Sequence, residues 1–399
     1  MKLKVGLIND SFPPTIDGVA NTVFNYAEII NKKYGTPIVI TPRYPHIIDN
    51  YPYEVYRFSS IDFKGKMPYR VGNPFFPKTL EELKRRNMDI MHVHCPFSSG
   101  VMARQINNTY RKKNRLPVVF TYHTKFDVDL DKYVPNPKMN KVARKFVLSN
   151  INAADEVWSV SEGGAQNLRE FGYKGDIRIM PNGTDFTKGS VEPEKVKRLK
   201  NMFGIADGQP VFLFVGRMMW YKNLKLILDS LKIVSDAGIN FKAFFLGDGV
   251  DRPAICHYAK QIGVKDKTLF IGAVYDREAV RTFFSAADLM LFPSTYDTSG
   301  LVVKEAAACD CASLLVRGSC AAEGVEDGVS GILAEENPVS CANAIIEAAR
   351  TKGFFETLGK CAGDKVYFSW EQAVDLAYKR YEEIVERFKR DKKNNQPYF

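Results

Sequence analysis

Gln209-Pro-Val-Phe-Leu-Phe-Val-Gly-Arg-Met-Met-Trp-Tyr-Lys-Asn223 is the stretch that decides the fold. Five apolar residues, Val211–Val215, run without interruption and stop at a glycine. A strand covered on both faces reads this way, because helices sit on both sides of a parallel sheet. After Gly216 the chain turns cationic and then enters a helical pattern. The same cadence recurs at Lys242–Leu246 (KAFFL), Thr268–Ile271 (TLFI), Leu289–Phe292 (LMLF) and Ala312–Val316 (ASLLV). Helical segments separate these runs. The alternation predicts βαβ crossovers and an α/β, doubly wound, Rossmann-like domain.

The first half repeats the pattern. Lys4–Ile8, Pro37–Thr41, Ile90–Val93, Pro117–Thr121, Glu156–Val160 and Ile177–Met180 read as strands, and Val19–Ile30 as an amphipathic helix. Between the two series, residues 182–209 lose the apolar cadence and collect Gly183, Gly189, Pro193, Lys195, Lys197, Arg198 and Lys200. The expected organisation is a Rossmann-like domain over 1–190, a linker with a short helix over 191–208, and a second Rossmann-like domain over 209–368. The tail, 369–399, reads as a helix over Trp370–Lys393. Ala373, Leu376, Ala377, Tyr381, Ile384, Val385 and Phe388 share one side of it. That helix either stays with its own domain or crosses back to the first.

Composition narrows the class. At 399 residues, with 45% apolar and 26% charged, the chain has enough core for two globular domains. No run approaches the ~20 apolar residues of a membrane span. Met1–Asp10 is too short and too quickly acidic for a secretory signal, so a cytoplasmic protein is expected. Seven cysteines (95, 256, 309, 311, 320, 341 and 361) lack paired CxxC spacing and read as reduced thiols. Residues 1–190 hold 28 Lys+Arg against 18 Asp+Glu, which accounts for the whole net charge of +10. An excess confined to one half implies an anionic partner for that half.

Ligands of doubly wound domains bind beyond the carboxyl ends of the strands. Two such domains facing each other would form a cleft there, and four loops carry chemistry toward it. Asn9–Asn21 places Gly18 at a strand-to-helix turn, where backbone N–H groups can approach an anion. His123, in Phe120-Thr-Tyr-His-Thr124, follows a strand and can bond a sugar hydroxyl or simply fill the core. His92 and His94 share a face, but no third ligand accompanies them, so a metal site is not expected. Arg217 and Lys222 offer a planar fork and a point charge, a pairing that suits a diphosphate. Asp297 and Glu305, in Pro293-Ser-Thr-Tyr-Asp-Thr-Ser-Gly-Leu-Val-Val-Lys-Glu305, flank a helix expected to start near Ser299. The N–H groups of Thr298, Ser299, Gly300 and Leu301 would be donors there.

These residues resemble glycosyltransferase family 4, a group of retaining GT-B enzymes. In the second half the resemblance rests on Gly216-Arg217, Lys222-Asn223, Gly247-Asp-Gly249, Phe270-Ile-Gly272, Ala287-Asp288, Asp297-x7-Glu305 and Glu326-Asp-Gly328-Val-Ser-Gly331. In the first half it rests on Asp17-Gly-Val19, Asp89-Ile-Met-His-Val-His94, Tyr122-His-Thr124 and Pro181-Asn-Gly-Thr-Asp185. The resemblance implies a nucleotide-sugar donor whose diphosphate is held by Arg217 and Lys222, with Gly18 approaching the same phosphates or the sugar. It implies Glu305 on the ribose, Asp297 with Thr298, Ser299 and Gly300 on the transferred hexose, and His123 near the sixth carbon of the sugar. The family usually has glutamate where Asp297 stands, followed by Pro-Phe-Gly, and Cys309-Asp-Cys311 replaces Cys-Gly-x-Pro. The shorter carboxylate changes reach, which puts sugar specificity in question more than activity.

The implied reaction is front-face transfer with retention, the leaving diphosphate helping to take the acceptor's proton. Arg217 and Lys222 can supply the positive charge that this needs, so no metal and no cofactor is expected. Two basic segments, 104–115 and 138–148, bear on the acceptor. In the second, Met139, Val142, Ala143 and Phe146 lie on one side, and Lys138, Lys141, Arg144 and Lys145 on the other. That pattern suits an anionic lipid surface or an ordinary helix packed on a sheet. Tyr122–Tyr133 is also similar to bacterial enzymes that build diacylglycerol glycolipids. The expected activity is hexosyl transfer, with UDP-glucose as donor and a membrane lipid as acceptor, by a protein peripheral on the inner face of the plasma membrane. A soluble sugar acceptor, a sugar-nucleotide epimerase and an inactive nucleotide-sugar-binding partner are the alternatives. The charge comes with no nucleic-acid motif, so no nucleic-acid partner is expected.

Overall fold

Strand β1 (Lys4–Ile8) is exposed only at its first residue, as a central strand under helices must be. The computed structural model that contains it describes residues 1–15, 17–62, 70–110 and 115–393. Arg111, Lys112 and Lys113 of the basic segment 104–115, and Ile16 of the first glycine turn, lie outside the described residues. The chain divides into two units, Met1–Asn182 with Trp370–Phe399, and Gly183–Ser369.

The first unit adds β2 (Thr36–Pro42), β3 (Glu54–Phe58), β4 (Ser60–Ile61), β5 (Val71–Gly72), β6 (Ile90–Val93), β7 (Val118–Tyr122), β8 (Glu156–Ser159) and β9 (Ile177–Ile179). Seven of these strands form one sheet in the order β3-β2-β1-β6-β7-β8-β9, with β4 and β5 as a separate antiparallel pair. Every pairing in the large sheet is parallel. Strand order reverses between β1 and β6, where Val5 lies opposite Ile90. Such a reversal opens a crevice at the carboxyl ends of the two strands. The sequence reading missed β3. It is an edge strand, and Glu54 and Arg57 break its apolar run.

Helix Trp370–Lys393 belongs to the first unit. The Tyr378 hydroxyl accepts from Leu3 N at 2.8 Å. Arg380 forks onto Glu156, with Nε to Oε1 at 2.8 Å. The Tyr381 ring stacks on Trp158 with centroids 5.6 Å apart, and both side chains are fully buried.

The second unit holds β10 (Val211–Val215), β11 (Lys242–Leu246), β12 (Thr268–Gly272), β13 (Leu289–Leu291), β14 (Ala312–Val316) and β15 (Ile332–Ala334). Their order is β12-β11-β10-β13-β14-β15, again parallel throughout, with the reversal between β10 and β13. Residues 191–208, expected as linker, are part of this unit. Helix Pro193–Met202 lies within them, Lys195 pairs with Glu278 at 3.1 Å, and Val191 N donates to Ser285 Oγ. The sequence reading also missed strand β15, three residues long. No helix among the described residues is long and apolar enough to cross a membrane.

Candidate active site

The chain leaving β10 lies backbone to backbone against the chain leaving β11. Met218 N donates to Asp248 O at 3.0 Å, and a Cβ on Gly247 would sit 1.9 Å from the Gly216 carbonyl oxygen. Gly247 also has φ +134°, so a side chain there is excluded by both space and conformation. Arg217 projects from this seam and is exposed. A single turn, Trp220–Lys222, follows and ends at Asn223 in the left-handed conformation. Asn223 Nδ2 donates to Pro293 O at 2.8 Å and to Glu336 Oε1 at 2.7 Å, tying this turn to the end of β13.

That tie carries Lys222 inward. It is 7% exposed, and its Nζ donates to Asp297 Oδ1 at 2.5 Å. The rings of Tyr221, Phe292 and Tyr296 lie within 5.8 Å of the ammonium. Burial pulls the Lys222 pKa below its ordinary value, Asp297 opposes that, and Arg217 adds to it. Asp297 Oδ2 is buried without a hydrogen-bond partner among the described residues. An unmatched carboxylate oxygen beside a buried ammonium is a built acceptor for a ligand hydroxyl.

Helix Leu301–Ala308 starts two residues later than the sequence reading had it. Gly300, at φ +52°, makes the turn into the helix, and a Cβ there would meet Ala321 Cβ at 2.9 Å. The first helical N–H groups are therefore those of Leu301 onward. Thr298 and Ser299 belong to the half-buried loop ahead of them. Glu305 sits one turn inside and is not open as expected. Arg277 Nη2 holds its Oε1 at 2.8 Å, and the same guanidinium pairs with Asp185 and stacks on Phe186 at 4.2 Å. Burial raises the Glu305 pKa, and Arg277 opposes the rise. Sequence reading missed Arg277. Its only local signal is a cation just after the N-cap Asp276, where a helix gains nothing from positive charge.

In the first unit, Gly18 opens helix Gly18–Ile29. Asp17 caps it by accepting from Val19 N and Ala20 N, each at 2.8 Å. A Cβ on Gly18 would meet nothing within 4 Å among the described residues. His123, just past β7, is 8% exposed, and burial pushes its pKa down to about 3. Its Nε2 lies 3.0 Å from His94 Nδ1. His92 does not face outward either: Nδ1 meets the Tyr381 hydroxyl and Nε2 meets Thr121 Oγ1. The described residues contain no group of three His, Cys, Asp or Glu side chains able to hold a metal ion.

The second basic segment is helix Pro137–Ile151. Val147, Asn150 and Ile151 face the unit's interior, and Ala143 packs at the edge of the core. Met139, Val142 and Phe146 do not join them. They are 64%, 67% and 45% exposed. Lys138, Lys141 and Lys145 line the next strip of the same exposed surface, while Arg144 turns toward Asp131 at 2.9 Å. The apolar side chains expected to pack under the helix are thus partly in solvent. Three large apolar groups left exposed beside three lysines are a surface with unspent burial.

Comparison with known proteins falls along the two units. Residues 16–188 match the model for Glycosyltransferase Family 4, and residues 195–361 match that for Glycosyl transferases group 1. The alpha-monoglucosyldiacylglycerol synthase of Streptococcus pneumoniae is 24% identical over 311 residues, 77% of this chain and 69% of that protein. That of Acholeplasma laidlawii is 24% identical over 84% of this chain and 85% of its own length. The N-acetyl-alpha-D-glucosaminyl L-malate synthase of Bacillus anthracis is 25% identical, covering 79% of each. Among solved structures, sucrose-phosphate synthase from Thermosynechococcus elongatus superposes with a TM-score of 0.76 over 97% of this chain at 20% identity. Anabaena HepE in complex with UDP gives 0.76 over 96% at 18% identity. At those identities the structures show the GT-B fold. With family models matching both halves in sequence order, the chain belongs to the family 4 glycosyltransferases.

Proposed function

We propose that this protein transfers a glucosyl residue from UDP-glucose to a diacylglycerol-type lipid, with retention at the anomeric carbon and without a metal. The exposed strip of Met139, Val142 and Phe146 beside Lys138, Lys141 and Lys145 carries the lipid part of the reading. Burying three such apolar groups is worth roughly 5 kcal/mol, and each lysine near an anionic surface adds about 1 kcal/mol. That total suits reversible docking. The likeness to two monoglucosyldiacylglycerol synthases supports the same acceptor class.

The chemistry follows from charge. Breaking the anomeric C–O bond builds negative charge on the diphosphate and positive charge on the ring. Arg217 and Lys222 stabilise the first, and removing one such preorganised partner from an active site typically costs about 3–4 kcal/mol of barrier. Asp297 has one oxygen committed to Lys222 and the other unmatched, so it holds the ammonium while accepting from a hexose hydroxyl. Glu305 takes the ribose hydroxyls, with Arg277 opposing the rise that burial imposes on its pKa. In the first unit, a Cβ on Gly18 would meet no protein atom within 4 Å, which leaves room for an anion at that helix start. The acceptor then attacks from the face the diphosphate is leaving, which preserves configuration.

The deciding experiment offers UDP-, GDP- and ADP-hexoses to the purified protein in EDTA, with and without anionic liposomes containing diacylglycerol. UDP release that requires the liposomes and yields an α-glucolipid is the expected result. Turnover indifferent to lipid sinks the lipid reading. It would favour a small polar acceptor, a reading that the likeness to a malate-glycosylating enzyme supports.

A further inference from the structure

Arg277 is the first residue of helix Arg277–Ala286, where positive charge opposes the helix dipole. Contacts outside the helix hold it there. Its guanidinium forks onto Asp185, with Nε to Oδ2 at 3.0 Å and Nη2 on Oδ1. Its Cζ lies over the Phe186 ring, 4.2 Å from the centroid. Nη2 also donates to Glu305 Oε1 at 2.8 Å. The platform under the guanidinium is itself anchored. Phe186 is buried and packs edge-on to Phe284. Phe186 N donates to Thr184 Oγ1 at 3.1 Å, and Thr184 N donates to Phe368 O at 2.9 Å. A fork on one edge and a ring under one face leave a planar group a single orientation.

The consequence falls on Glu305. Its side chain is 16% exposed. Oε1 is taken by Arg277, and Oε2 makes no hydrogen bond among the described residues. The terminal torsion of a glutamate is otherwise broad. Held by Oε1, the carboxylate cannot turn without breaking that bond, so Oε2 keeps one direction. Charge acts differently from orientation here. Burial raises the Glu305 pKa, Arg277 opposes the rise, and the negative charge of Asp185 adds to it. Removing Asp185 therefore favours the ionised Glu305 while it frees the guanidinium that aims it.

We propose that Arg277, fixed by Asp185, is the positioning residue that aims Glu305 Oε2, and that this pair sets how strongly the site selects a ribonucleotide over one without ribose hydroxyls. This rests on the reading that Glu305 takes the ribose.

Titration calorimetry of the full chain tests it, with UDP, GDP and ADP each compared with its 2′,3′-dideoxy form. The ratio of the two dissociation constants isolates the ribose hydroxyls. The affinity for the dideoxy form reports whether the rest of the site is intact. Wild type is expected to prefer its ribonucleotide by at least about tenfold, the worth of a hydrogen bond to a charged group. Glu305→Ala should abolish that preference. Arg277→Lys keeps the charge and loses the fork, and Asp185→Ala loses the support. The two wild-type side chains are 46% and 39% exposed, so neither substitution opens the core. Each should cut the ratio to about a third or less, with the dideoxy affinity unchanged. A full ratio in Arg277→Lys, or an unchanged or larger ratio in Asp185→Ala, overturns the positioning role. So does an equal loss of affinity for both nucleotide forms, which is what a merely structural role would give. A wild type without the preference, or a Glu305→Ala variant that keeps it, sinks the ribose reading of Glu305 and the positioning role with it.

Discussion

Asp297→Asn strips the counter-charge from a buried ammonium and leaves the shape of the site nearly unchanged. Lys222 is 7% exposed, and the Asp297 side chain 23%. Removing one partner of a fully buried pair costs about 3–5 kcal/mol. The exposure of Asp297 and the three rings around the ammonium reduce this, so about 2–3 kcal/mol is expected near neutral pH. For a unit of this size the loss lowers Tm by roughly 4–12 °C in calorimetry of the full chain. The pH dependence carries a definite sign. Burial already places the folded Lys222 pKa below 10.5, and losing Asp297 lowers it further. The folded variant then prefers the neutral amine, whereas the unfolded chain stays protonated up to about 10.4. The unfolded state binds more protons in that window, so the variant gains stability as pH rises through it. The deficit relative to wild type should thus be largest near neutral pH and shrink on the alkaline side. Lys222→Met combined with Asp297→Leu removes both charges and should recover at least half of the loss. A deficit below about 0.5 kcal/mol at pH 7, or a double variant no better than the single one, would show that the ion pair does not organise the site.

Three further outcomes follow. Gly18→Val should leave Tm within a few degrees of wild type, because its side chain meets no protein, yet lower kcat/KM at least 100-fold if donor atoms use that space; calorimetry and steady-state kinetics separate the two. Lys141→Glu with Phe146→Glu should weaken sedimentation with anionic vesicles roughly 100-fold while UDP binding by calorimetry stays unchanged. His92, His94 and His123 are neutral when folded but protonate below about 6.5 when unfolded, so acid should destabilise the first unit. Stability is held above that pH and lost as pH falls toward 3, with a slope approaching three protons, about 4 kcal/mol per pH unit, in urea titrations at pH 4–6.

Strands flanked by glycine or proline and buried on both faces were legible in the sequence, because burial leaves an unbroken apolar run. Strand β3 was not, since an edge position tolerates Glu54 and Arg57 within the run. Lys222 and Asp297 were each legible as residues just past a strand, but their pairing was not. It depends on Asn223 adopting a left-handed turn and reaching Pro293 O. The Arg277 clamp on Glu305 and the His94–His123 contact are long-range pairings with no local trace. The helix after Asp297 was placed two residues early because Gly300 spends those residues on a turn. The amphipathic look of Pro137–Ile151 was plain, but which of its apolar residues would stay outside was set by its packing against helices Ser98–Asn108 and Phe126–Tyr133.

Helix Trp370–Lys393 gives the chain an unusual order of completion. A ribosome makes β1 through β9 first, but their unit lacks the residues that cover Leu3, Trp158 and Glu156 until Tyr378, Arg380 and Tyr381 have emerged. The second unit is one continuous segment and can close earlier. Domains made on a ribosome usually mature in the order of synthesis. Here the half made first waits longest, and a product stalled or clipped before Trp370 would leave Leu3, Glu156 and Trp158 without the side chains that cover them.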